Sequence, residues 1–133
     1  MLTIARPFLN QMLDHLRGCF PLEGCGLLAG DEMGVVTAVY PIDNILQSPT
    51  AYEMNPHQQI EALLALEAAG WQLLAIYHSH PQGPELPSAT DIALAFYPEA
   101  VNIIVSLLVQ SVPVVRAFQF VGQEVIEQKI KVI

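Results

Sequence analysis

A chain of 133 residues, 53% hydrophobic and 14% charged, buries enough surface for one core and is too apolar for a disordered segment. Its net charge of −8, from 5 basic and 13 acidic residues, opposes binding to nucleic acid or to an anionic membrane surface and leaves a protein or peptide as the easier partner. The longest apolar stretches, 62–77 and 101–115, are cut by Glu67, Gln72, Asn102, Gln110 and Pro113, so no membrane-spanning helix is expected.

At the start, Arg6, Pro7, Asn10 and Gln11 stand where a secretory signal needs an unbroken apolar run. The expected location is therefore the cytoplasm, with Cys19 and Cys25 reduced and buried. Pro7 suits a first helical turn, and Phe8, Met12, Leu13 and Leu16 recur at helical spacing. The pattern predicts a helix over 7–17 that closes at Gly18.

The apolar run 24–29, a turn over 30–34 and the β-branched run 35–40 read as a hairpin. A polar connector with Asp43, Asn44, Ser48 and Pro49 leads to a second helix starting at Pro56. Asn55 should cap it, with Ile60, Leu63, Leu64 and Leu66 on the buried side and Gly70 as the stop. Residues 73–77 form a compact apolar run, as in a strand covered on both faces.

That strand leads into His78, and a turn-rich loop over 81–87 follows. Ser88 and Asp91 have the spacing of a capping pair that opens a helix over 89–96. Strands are expected over 102–108, 114–121 and 124–132, with Gly122 and Gln123 as the last turn. The sum is one α/β domain over residues 1–133, a single-layer mixed sheet flanked by about three helices. A short edge strand at the C-terminus could support a homodimer.

His78 and His80 are two apart at a strand end, so both imidazoles leave the same face and can meet one ion. Zinc takes nitrogen and carboxylate ligands, and a catalytic site uses three of them with a fourth position open. Asp91, in the first turn after a proline-rich loop, is the natural third. Glu23 heads the apolar run 24–29, and pairing of that strand with the next could set it opposite His78, within reach of a water as general base.

The string His78-Ser79-His80-Pro81, six residues, then Ser88-x-x-Asp91, with Glu23 upstream, resembles the signature of the JAMM (MPN-plus) metalloproteases. The likeness includes the first helix, the run Glu23-Gly24-Cys25-Gly26-Leu27-Leu28-Ala29-Gly30 and the tail 116–132. Small stand-alone bacterial members are the most similar. The resemblance implies the cytidine-deaminase-like JAMM/MPN architecture and Zn2+ held by His78, His80 and Asp91. It also implies Glu23 as the acid/base and Ser88 as the oxyanion donor. The implied reaction is cleavage of a peptide or isopeptide bond after the C-terminal Gly-Gly of a ubiquitin-like, β-grasp sulfur-carrier protein.

Each residue has a plainer account. Buried histidines are ordinarily hydrogen-bonded core residues, Asp91 suits a helix start and Glu23 a strand edge, while Ser88 is as well explained by capping as by catalysis. His15 and His57 are expected at surface or capping positions without a metal. A zinc deaminase would need a Pro-Cys-x-x-Cys string, and a helix-borne metalloprotease a His-Glu-x-x-His string; both are absent. The alternative function is a non-catalytic MPN-type interaction module.

Overall fold

The computed structural model describes residues 1–93, 95 and 97–133. In chain order they form β1 (Leu2–Ile4), α1 (Arg6–Cys19), β2 (Cys25–Gly30), β3 (Val36–Ile42), α2 (Pro56–Ala68), β4 (Gln72–His80) and α3 (Ala89–Ala93). β5 (Val101–Ser106), β6 (Val114–Val121), β7 (Glu124–Gln128) and β8 (Ile130–Val132) complete the set. Six strands make one sheet in the order β3-β2-β4-β5-β6-β7. Within this sheet β4 and β5 run parallel, and the other described pairs are antiparallel. The mixed sheet with three helices is the architecture that the patterning predicts.

The two sheet faces are covered differently. α1 lays Leu9, Met12, Leu13 and Leu16 against Leu28, Tyr77, Ile103 and Val105, and each such side chain contributes about 1.5–3 kcal/mol when fully buried. Its N-cap residue, Ala5, makes no side-chain cap bond, so packing rather than capping holds it. The helix passes through Gly18 and ends at Cys19, one turn-fraction beyond the predicted stop, because a lone glycine only weakens a helix that is otherwise packed.

The opposite face carries α2 over Cys25, Leu27, Ile42 and Ile76. Its buried stripe is Ala62 and Leu66, with Leu63 partly covered. Ile60 and Leu64, expected inside, are 58% and 62% exposed. A period of 3.6 cannot place both the 62/66 and the 60/64 rows against one sheet, and the alanine row wins because it allows close approach. Asn55 caps this helix as expected, its side chain accepting from the Gln58 backbone N–H.

Three short elements depart from the expected pattern. The helix predicted over 89–96 ends at Ala93, and positions 94 and 96 lie outside the described residues. The strand expected over 124–132 is broken at Lys129, and its second half, β8, pairs in parallel with β1. Both halves of the expected C-terminal strand therefore lie at sheet edges: β7, with β3, ends the main sheet, and β8 pairs on one side with β1. β1 itself was not expected, since three residues are too few to show a period.

Tight packing at the sheet centre has one clear marker. A Cβ on Gly26 would lie 2.3 Å from the Tyr77 ring and hydroxyl, so β2 can cross Tyr77 only as glycine. Tyr77 in turn bonds to His15, whose Nδ1 lies 2.8 Å from the phenol oxygen. His15 is thus half-buried between helix and sheet rather than at the surface, whereas His57 is exposed beside Glu61.

Candidate metal centre

β4 places its alternate residues on alternate faces, so Tyr77 points under α1 while His78 and His80 point to the side of α2 and α3. His78 is 2% and His80 8% exposed. Their Nε2 atoms face each other at 3.0 Å. Asp91 closes the group, with Oδ1 3.2 Å from His78 Nε2 and Oδ2 3.2 Å from His80 Nε2. All three ligand atoms lie within 4.8 Å of one another.

The loop that returns the chain to this point is built for it. Gly83 N–H donates to the His80 carbonyl at 2.9 Å, and Gly83 has φ +65°, a left-handed conformation that favours glycine. The Pro84 carbonyl then accepts from His80 Nδ1 at 2.7 Å. In the neutral ring that bond places the proton on Nδ1 and leaves Nε2 with the lone pair a metal needs. α3 starts with a reciprocal cap: Ser88 N–H donates to Asp91 Oδ2 at 2.8 Å, and Asp91 N–H donates to Ser88 Oγ at 3.0 Å.

Two imidazole nitrogens and a carboxylate directed at one point repel unless a cation lies between them. Two ligands of a tetrahedral ion with bonds of about 2.0 Å would be about 3.3 Å apart, close to the spacings found here. The residues therefore fit a divalent metal. Burial opposes the charge of Asp91, but in the metal-free protein hydrogen bonding with His78 and His80, the charge of His78 and the Ser88 N–H outweigh it and hold the carboxyl well below its usual range. Burial lowers His78, which favours the neutral ligand form.

Glu23 is 5% exposed. β2 pairs with β4 with Cys25 opposite His78, and Ser79 N–H donates to the Gly24 carbonyl at 3.0 Å. Continuing that register sets Glu23 beside His80 rather than opposite His78 as expected. The difference is two residues, because antiparallel register is fixed by the whole strand pair and not by the strand's first residue. Burial pushes the Glu23 carboxyl up to about 7, His80 pulling it down and Asp91 adding to the rise.

Two further residues build the site and carry no metal-ligand chemistry. The Asn44 amide donates from Nδ2 to the Glu23 and Ala51 carbonyls, both at 3.0 Å, while its Oδ1 accepts from the Leu46 N–H at 3.0 Å and the Glu53 N–H at 3.1 Å. It ties the segment bearing Glu23 to the segment bearing Tyr52. The Tyr52 ring lies along His78, with centroids 4.6 Å apart and planes at 29°. The single local signal for Asn44 was its Asx turn to Leu46; nothing in the sequence pattern marked Tyr52. Cys25 is fully buried with its thiol donating to the Ile42 carbonyl, as a small packed hydrophobe would be.

Comparison with known proteins adds the family. The prokaryotic homologs of the JAB domain, Prok-JAB, match residues 5–121. The desampylase of Haloferax volcanii is 40% identical over 111 residues, spanning 79% of this chain and 80% of that protein. The CysO-cysteine peptidase of Mycobacterium tuberculosis is 33% identical over 134 residues, covering 100% of this chain and 92% of its own. A protein of Desulfitobacterium hafniense with a known solution structure superposes with a TM-score of 0.91 at 38% identity, covering 100% of this chain and 93% of that one. A His-His-Asp group at the end of a central strand, in this fold and with these relatives, makes the chain a member of the Prok-JAB family.

Proposed function

We propose that this chain is a zinc peptidase that hydrolyses the peptide or isopeptide bond after the C-terminal Gly-Gly of a ubiquitin-like, β-grasp sulfur-carrier protein. The observation that carries the reading is the meeting of His78, His80 and Asp91 within 4.8 Å beside a buried Glu23. Relatives named as a desampylase and a CysO-cysteine peptidase support the substrate class. His78 Nε2, His80 Nε2 and an Asp91 oxygen would hold the ion. When bound, zinc supplies Lewis-acid polarisation of the scissile carbonyl and a more acidic water.

The protein's own groups then divide the work. Glu23 accepts the proton from the attacking water and returns it to the leaving amine, a role whose loss costs about 10² to 10⁴ in rate. The Ser88 oxygen already accepts from the Asp91 N–H, which leaves its O–H hydrogen free to donate to the oxygen that gains charge. Capping and catalysis thus use different parts of one hydroxyl. The continuous sheet supports reading 1–133 as a single domain. The two unpaired thiols suit a reducing cytoplasm. None of the described helices is long and apolar enough to cross a membrane.

The test is to incubate the zinc-loaded protein with β-grasp proteins carrying a residue or a lysine-linked peptide after Gly-Gly, and to follow them by intact mass. The expected product ends in Gly-Gly, and Glu23→Gln abolishes its release. Failure to cleave any Gly-Gly fusion contradicts the substrate class.

A further inference from the structure

His78 and His80 offer the same atom to the metal point but are held by different means. His80 donates Nδ1–H to the Pro84 carbonyl at 2.7 Å. His78 Nδ1 is buried and meets no hydrogen-bond partner among the described residues. Ligating imidazoles ordinarily donate their second N–H to an acceptor, and that bond sets the plane of the ring. What His78 has instead is the flat face of Tyr52, with ring centroids at 4.6 Å and planes at 29°.

We propose that Tyr52 is the positioning residue for His78, its stacked ring doing for that imidazole what the Pro84 carbonyl does for His80. This rests on the reading of His78 as a metal ligand. An imidazole without a second-neighbour hydrogen bond is free to rotate about its last torsion, which is broad for sp³–sp² bonds. A ring stacked at 4.6 Å opposes tilting of that imidazole, and Tyr52 itself lies in a tied-down segment.

Its segment is held from both sides. The carbonyl of Ala51 accepts from Asn44 Nδ2, the N–H of Glu53 donates to Asn44 Oδ1, and Met54 is buried and bridges to Asn44. The same Asn44 amide grips the Glu23 carbonyl. One side chain therefore sets the position of the proposed base and of the ring that orients a ligand. Tyr52 acts through His78 and is not itself a ligand.

Stacking requires a ring and not a hydroxyl, which gives the test its form. The zinc dissociation constant of the metal-free protein is measured by competition with a chromophoric chelator, for wild type, Tyr52→Phe and Tyr52→Leu. Thermal melting of the metal-free forms and the ring ¹⁵N signals of His78 are recorded alongside. Tyr52→Phe is expected to bind zinc like wild type. Tyr52→Leu is expected to bind about 10- to 100-fold more weakly, the usual cost of losing a residue that orients a ligand, and to show altered His78 signals. A residue serving only the fold would lower the melting temperature and leave the affinity of the folded protein unchanged.

If Tyr52→Leu does not fold, Tyr52→Met serves the same comparison, because a flexible thioether fills the space without a flat face. Aliphatic variants that bind zinc as tightly as wild type overturn the proposal, and so does a Phe variant that weakens binding as much as Leu. A wild type that binds no zinc overturns the metal reading itself, and this inference with it.

Discussion

Ser88 and Asp91 cap each other across the first turn of α3, backbone N–H to side-chain oxygen in both directions, at 2.8 and 3.0 Å. The carboxylate that faces the two histidines is thereby aimed by the residue proposed to meet the substrate. Ser88→Ala should lower turnover by about 10² to 10³ through the lost donor. It should also cost about 1 kcal/mol of stability through the lost cap. Ser88→Thr keeps both functions and should stay near wild type. Steady-state rates and chemical denaturation of the two variants check this, and an alanine variant at full rate removes Ser88 from the chemistry.

Asn44 uses two donors and two acceptors to join the backbones around Glu23 and Tyr52. Asn44→Ala leaves at least two carbonyls in need of partners, at a cost of about 1–3 kcal/mol. The rate should fall further than stability accounts for, on the order of 10²-fold, since a displacement of about 1 Å at a base has that effect. The comparison is made under conditions where the variant is fully folded. A rate equal to wild type would show that the bracket serves only the loop.

The raised Glu23 carboxyl has a consequence for the metal-free protein. Burial moves it from 4.5 to about 7. Between those values the unfolded chain releases the proton and the folded chain keeps it, so folding stability declines as pH rises through that window. Glu23→Gln carries no such proton. Its stability relative to wild type should increase from pH 5 to pH 7, measured by urea denaturation of the metal-free proteins. A difference that stays constant over this range would contradict the buried carboxyl.

Gly26 and Tyr77 test the packing beneath the site. A methyl group at Gly26 would meet Tyr77 at 2.3 Å and push on the phenol that holds His15. Overpacking of this kind costs about 1–3 kcal/mol. Gly26→Ala should therefore be destabilised, and Gly26→Ala with Tyr77→Leu should recover part of the loss. Thermal melting of the single and double variants decides it.

Much of this site could be read from the residues because it rests on local periods. Two histidines two apart share a strand face whatever the rest of the fold, and Ser88 and Asp91 carry a capping pattern within one helical turn. Glu23 is different: its neighbour depends on the register of β2 against β4, and that register places it beside His80, two residues from the expected position. Asn44 and Tyr52 lie in an irregular connector, where no period reports which way a side chain points. The same limit explains α2, where two apolar rows competed and only the sheet surface could choose the Ala62 row. It also explains β1 and β8, which are too short to declare themselves and are stabilised by each other.

The zinc content of the purified protein after metal loading and gel filtration tests the account at its centre, with His78→Ala, Asp91→Ala and Glu23→Gln measured beside wild type. About one equivalent is expected in wild type and in Glu23→Gln, as a three-ligand site requires, with loss of the metal in His78→Ala and Asp91→Ala. Wild type without zinc, or a His78→Ala variant that retains it, would contradict the account.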